Sequence, residues 1–203
     1  MNGHIVYDHK GEGAYQTIES KVQSLLVGRA TQLRGAAVPE EKFTMSDATP
    51  LDAVEHASAE GFFGSERNSN LANGTGGKDG PQTFDSLSEP KLNMSYLFVN
   101  WKISSEYAES MAEHNSLIYR YHGKLVHALV GAKSMRAKIL LDGKPLTAAN
   151  AGKDIRFEKN GSILYAGNPR LYEVVTDQAG YGDHSIEMIP ESGGFDIYSL
   201  IFS

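Results

Sequence analysis

The chain contains no cysteine and only one tryptophan, Trp101. Without a thiol, disulfide exchange, cysteine nucleophiles, cysteine-rich zinc sites and a disulfide scaffold are excluded for this polypeptide. The absence does not fix the compartment, because an exported domain with a good core needs no bridge. No apolar run approaches membrane-spanning length, and the polar opening MNGHIVYDHKGEG has no signal-peptide core, so neither element is expected. Basic charge is sparse and scattered. The 19 Lys and Arg face 25 Asp and Glu, a formal charge of −6, which argues against a nucleic-acid backbone binder. What is present, 203 residues with 40% hydrophobic content, suits one or two small soluble domains.

Three stretches differ in pattern. In residues 4–27, HIVY at 4–7 reads as a short strand. AYQTIESKVQSLLV then places Tyr15, Ile18, Val22, Leu25 and Leu26 at helical spacing, with Gly28 as the expected stop. One strand and one helix have no core of their own, so this piece should dock on the rest of the chain or on a second copy. Residues 29–90 carry a weaker pattern. Thr49-Pro50 predicts a short helix to about Glu60, and the glycine-rich 65–90, including NGTGGKDGP, predicts a loop or linker anchored by Phe62 and Phe63.

From Leu92 the period becomes two. LIYRYH, KLVHALV, MRAKILLD, DIRFE, SILYA, LYEVV, HSIEMI and FDIYSLIF read as eight short strands with no amphipathic helix between them. Asp142-Gly143 and Lys159-Asn160-Gly161 predict hairpin turns. The expected fold is mainly β: an antiparallel β-sandwich of jelly-roll type. Organisation is expected as 1–28, a strand and helix; 29–91, a connector; and 92–203, the β domain.

The chemistry-bearing residues point to binding rather than turnover. HKGEG at 9–13 reads as a turn, since it lacks the P-loop ending and Glu12 would repel phosphate. Among seven histidines, His122 and His127 lie five apart, but neither HExxH nor paired carboxylates accompany them, so no metal or other cofactor is expected. No GxSxG elbow supports a nucleophile. Aromatics are the better signal. Trp101, Tyr165, Tyr172 and Tyr181, with Asn168, Arg170 and Glu173 as polar neighbours, are candidate ligand-binding residues, because flat rings stack on sugar faces while amides and charges bind hydroxyls. The alternative is ordinary core packing; the alternation in RLYEVV does not decide the face of Tyr172, but a strand this apolar is expected to be central and the ring at least half buried.

Together, LFVNW at 97–101, VHALV at 126–130, ILLDGKP at 139–145, NPRLYEVV at 168–175, GDHSIEMI at 182–189 and YSLIF at 198–202 resemble the carbohydrate-binding-module-like β-sandwich at the C-terminus of DipZ-type thioredoxin-like proteins. NGHIVYDHKGEGAYQTIESKVQSLL at 2–26 is similar to the last strand and helix of the preceding thioredoxin domain. Gly11, Glu12, Gly13, Tyr15 and Glu19 match there, and Lys10 stands in a phenylalanine position. GFFGSER at 61–67 is similar to the connector motif through Phe63, Gly64 and Arg67. The resemblance implies a periplasmic or extracytoplasmic setting. It also implies that the redox CxxC belongs to a part of the domain that this sequence does not include, so no residue here inherits that role. The expectation is a non-catalytic binding or interaction module, not an enzyme, with a glycan or protein partner and a homodimer through residues 4–27 as candidates. An orphan enzyme in the β domain is the alternative.

Overall fold

The structure is a computed structural model and describes residues 5–8, 15–32, 56–85, 89–132 and 135–203. The chain divides into two units, Met1–Val54 and Glu55–Ser203.

In the first unit, α1 spans Tyr15–Gln32. It runs through Gly28 rather than stopping there. Space around that glycine is open, and an interior glycine costs only about 1 kcal/mol relative to alanine. Arg29 sits in the last turn, where a cation complements the helix dipole. Residues 5–8 have no regular structure, so the strand expected at 4–7 is not found among the described residues. HKGEG at 9–13 and the helix start at Thr49-Pro50 lie outside them. Residues 56–60 are not helical.

The second unit is built from thirteen described strands: β1 Gly61–Phe62, β2 Gly80–Phe84, β3 Met94–Ile103, β4 Ala108–Ser110, β5 Ser116–Gly123, β6 Leu125–Ala132, β7 Met135–Leu141, β8 Lys144–Pro145, β9 Ile155–Glu158, β10 Gly161–Ala166, β11 Arg170–Thr176, β12 Gly182–Pro190 and β13 Phe195–Phe202. They form one continuous sheet in the order β11-β6-β13-β4-β3-β5-β12-β7-β10-β9, with β1, β2 and β8 as side branches. The path does not close, since β11 and β9 remain its two ends. This corrects the expected antiparallel β-sandwich of jelly-roll type, and with it the carbohydrate-binding-module-like sandwich implied by the resemblance. Mainly β, with one helix among the described residues, stands.

The physical cause of the single sheet is β3. Its first half, Met94–Phe98, pairs with β5, and its second half pairs with β2 and β4. One ten-residue strand thus belongs to both hydrogen-bonded arrays and joins them. Val99, at the junction, has φ 71°, a left-handed conformation unusual for a β-branched residue, which marks the change of pairing.

Burial alternates along the strands, strictly so in β5. The inward residues make one contiguous core that includes Leu117, Tyr119 and Tyr121 of β5 and Val126, Ala128 and Phe202 of β6 and β13. Tyr121 stacks on Phe202 at 4.8 Å between ring centroids. The stretch 65–90, expected as a loop or linker, instead supplies β2, and Phe84 and Asn68 are buried. Phe63 is buried as an anchor. Composition misleads here because the glycines of this stretch serve turns: Gly74, Gly77 and Gly80 all have positive φ.

The Asp142-Gly143 turn forms as expected, with φ 51° and 74°, joining β7 to β8. Lys159-Asn160-Gly161 closes the β9–β10 hairpin.

Candidate functional site

Four of the seven residues singled out from sequence, Tyr165, Asn168, Arg170 and Tyr172, line one concavity of about 530 Å³ on the second unit. Its frame is β7 against β10. Tyr165 lies opposite Arg136, and Ala166 opposite Met135. Residues directly opposed in an antiparallel pair share a face, so Tyr165 and Arg136 stand side by side. The turn 167–169 then carries the chain to β11. It is held by the Ala132 N–H donating to the Gly167 carbonyl at 2.7 Å, and Pro169 fits against Gly131, where a Cβ would come within 2.7 Å of the proline ring.

Tyr165 is the platform. It is 38% exposed, and two guanidinium groups approach its ring, Arg156 at 4.8 Å and Arg136 at 5.5 Å from the centroid. Its hydroxyl donates to the Glu158 carboxylate, whose other oxygen accepts from Arg136 at 2.6 Å. That bond to Glu158 pushes the phenol above its ordinary range, with burial adding to the effect. Arg136 also reaches Glu191 at 3.5 Å. Glu158 and the two arginines hold the ring in one orientation.

Tyr172 supports the shelf from beneath. It is 2% exposed, and its hydroxyl accepts the Gly167 N–H at 2.9 Å. Arg170 covers the ring with its guanidinium 3.6 Å from the centroid and pairs with Asp154 at 2.8 Å. Asp154 also accepts the Glu173 N–H at 2.8 Å. Partial burial pushes the Asp154 carboxyl up, but the Arg170 and Glu173 hydrogen bonds and the charges of Arg170 and Lys153 outweigh it and hold it below the usual range. Glu173 points to Lys153, 3.1 Å away, whose hydrogen bond lowers the Glu173 pKa despite some burial.

The remaining candidates do not join this site. Trp101 is buried completely, and its indole N–H donates to the Phe98 carbonyl at 2.9 Å. Tyr181 is half-buried beside His122 and Lys124, with ring-to-ring and ring-to-cation distances of 5.9 and 5.1 Å. Arg136, Arg156, Glu158 and Asp154 were not found by sequence reasoning. The alternation of MRAKILLD puts Arg136 on the outer face, but only the β7–β10 register brings it to Tyr165, and no local signal encodes that register.

His122 pairs with Asp183 and His184 with Asp142, each at 2.8 Å. Among the described residues, no group of three or more His, Asp or Glu is placed to hold a metal ion, and no helix is long and apolar enough to cross a membrane.

Residues 58–203 match the family described as "Thioredoxin like C-terminal domain". Residues 2–26, which resemble a thioredoxin strand and helix, lie outside that match. Among curated proteins, no sequence matches. Among solved structures, a family two carbohydrate esterase from Cellvibrio japonicus is similar, with 17% identity and a TM-score of 0.39 over 49% of this chain and 28% of that one.

Proposed function

The chain belongs to the thioredoxin-like C-terminal domain family, and we propose that within it the chain is a non-catalytic binding module whose ligand seat is the Tyr165 shelf. With no cysteine it has no thiol dyad for disulfide exchange. The observation that carries the reading is the convergence of an exposed ring, an amide (Asn168) and two guanidinium groups (Arg136 and Arg170) on one concavity. This is the mixture that binds a saccharide: an apolar face for the ring carbons and donors for the hydroxyls.

Titration with neutral and uronic-acid oligosaccharides, read by amide chemical shifts, tests the reading. Shifts should cluster at 135–136 and 165–172. Saturable shifts at other positions, or none with either class, would count against it.

The reading keeps the extracytoplasmic setting that the resemblance implies. It also keeps a second copy docked through residues 4–27, supported by the helical spacing of Ile18, Val22, Leu25 and Leu26. Light scattering should then give twice the chain mass, falling to one chain mass in a Val22→Asp, Leu25→Asp variant. A parent chain that scatters as a monomer at all concentrations would remove the dimer.

A further inference from the structure

A second concavity of about 390 Å³ lies elsewhere on the same unit, where β1 and β13 meet the loops after β1 and β3. Its construction starts from an irregularity. The pairing of β13 with β6 shifts register between Ile197 and Ser199, and a bulge of this kind re-aims the side chains that follow it. Ser199 then stands opposite Phe62 on one side and Leu129 on the other. Directly opposed residues share a face, and both of these neighbours line the cavity, so the Ser199 side chain is directed into its floor. Ser199 is 2% exposed, and among the described residues its Oγ has no hydrogen-bond partner. A buried hydroxyl left unpaired costs on the order of 1–3 kcal/mol. It therefore favours whatever supplies a partner.

The walls are aromatic and acidic. Phe62 and Tyr198 line the cavity, and Glu60, Glu66 and Glu106 stand around it. Among the described residues, no ion pair within 4.0 Å is made by any of the three carboxylates. Arg67, the single cation among the described lining residues, stacks on the Phe62 ring 3.7 Å from its centroid. The loop geometry is fixed. The Ser65 and Glu66 N–H groups donate to the Ser104 and Ser105 carbonyls at 2.9 and 3.2 Å. Gly64 passes so close to Glu106 that a Cβ would come within 2.2 Å of its backbone. The carboxylates are too dispersed to share a metal ion, but they surround a space that an extended organic cation fills.

We propose that this cavity receives a basic side chain, lysine or arginine, from a peptide segment of a protein partner. The aliphatic stem lies against Leu129 and Tyr198, the charged head sits among Glu60, Glu66 and Glu106, and the Ser199 Oγ accepts one of its N–H groups. Arg67 over Phe62 already sets one cation on an aromatic face at this cavity and competes for its space. The proposal is independent of the saccharide shelf, because the two concavities share no lining residue.

The test is a titration of the whole chain, followed by amide shifts, with three capped pentapeptides: Gly-Gly-Lys-Gly-Gly, its arginine counterpart and its norleucine counterpart. The lysine or arginine peptide should bind at least about tenfold more tightly than norleucine, a difference of about 1.4 kcal/mol. Shifts should centre on 62–67, 105–106 and 198–199, and binding should weaken in high salt. Glu66→Gln with Glu106→Gln should reduce affinity about tenfold. Ser199→Ala, its fold checked by thermal melting, should reduce it by a smaller factor. Arg67→Ala should tighten binding, because it removes the competing cation and leaves the Phe62 face open, an outcome that a purely structural role for Arg67 does not give. Equal affinity for the lysine and norleucine peptides, no saturable shift at these residues, or unchanged binding in the double glutamine variant would overturn the proposal.

Discussion

The Arg170 guanidinium lies 3.6 Å from the centroid of the Tyr172 ring while pairing with Asp154 at 2.8 Å. One charged group thus closes a stack and an ion pair together, and it covers the face that Tyr172 would need to offer a ligand. Tyr172 and Tyr165 line the same concavity but do different work: the first holds the 167–169 turn in place and the second presents its ring.

Tyr172→Ala should therefore cost about 3–5 kcal/mol, as truncations of buried aromatics do. Tyr172→Phe should cost about 1 kcal/mol, because the Gly167 N–H loses its acceptor while the packing stays. Urea titration of both variants checks the pair. An alanine variant with the parent's midpoint would show that the ring contributes no core packing.

Asp196 of β13 supplies a pH signature. Burial, with the opposing Glu109 adding to it and Lys102 acting against it, raises its carboxyl to about 6. A folded pKa above the unfolded one means that the folded state prefers the protonated acid. The stability this brings is fully present below about pH 4 and is lost as pH rises through about 6. Asp196→Asn should raise the melting temperature at pH 7 and leave it nearly unchanged at pH 3.5. Equal effects at both pH values would contradict this assignment.

Asp154 has the opposite sign. Its pKa is depressed in the folded state, so its contribution is present above the unfolded value of about 4 and disappears as pH falls through the lower folded value. Asp154→Asn should flatten the acid limb of the stability curve and release Arg170. Thermal melts of parent and variant between pH 2 and 7 would show an unchanged limb if the pair is inert.

Two glycines separate backbone strain from collision. Gly143 has φ 74° with open space around it, so Gly143→Val should cost about 1–3 kcal/mol through strain alone. At Gly152 a Cβ would lie 2.3 Å from the Glu173 carbonyl oxygen, so backbone has to move. Gly152→Ala should be the more damaging change despite its smaller side chain. The reverse order in chemical denaturation would refute this ranking.

The eight expected strands after residue 116 and the turn chemistry were legible because both signals are local, whereas β2 was hidden by its glycine-rich surroundings. Alternation marks MRAKILLD, and Asp142-Gly143 adopts the positive φ pair its composition suggests. Connectivity was not legible. Whether β3 ends one sheet or joins two arrays depends on partners distant in the chain, and nothing in LFVNW encodes the left-handed Val99. The face of Tyr172 was hidden for a related reason. The register shift between Glu173 and Val175 breaks the period of two, so Tyr172, Val174 and Val175 are all buried. Trp101 and Tyr165 show the limit of residue type as a signal: each is an aromatic on a strand, and only register and burial separate the core residue from the platform.

The most direct test of the central claim is calorimetric titration of the parent, Tyr165→Ala and Tyr181→Ala with the oligosaccharide class that shifts the 165–172 amides. Tyr165 is exposed at the shelf and Tyr181 lies away from it. The account predicts that Tyr165→Ala abolishes binding with a melting temperature within a degree or two of the parent, and that Tyr181→Ala binds as the parent does. Parent-like binding by a folded Tyr165→Ala chain would contradict it.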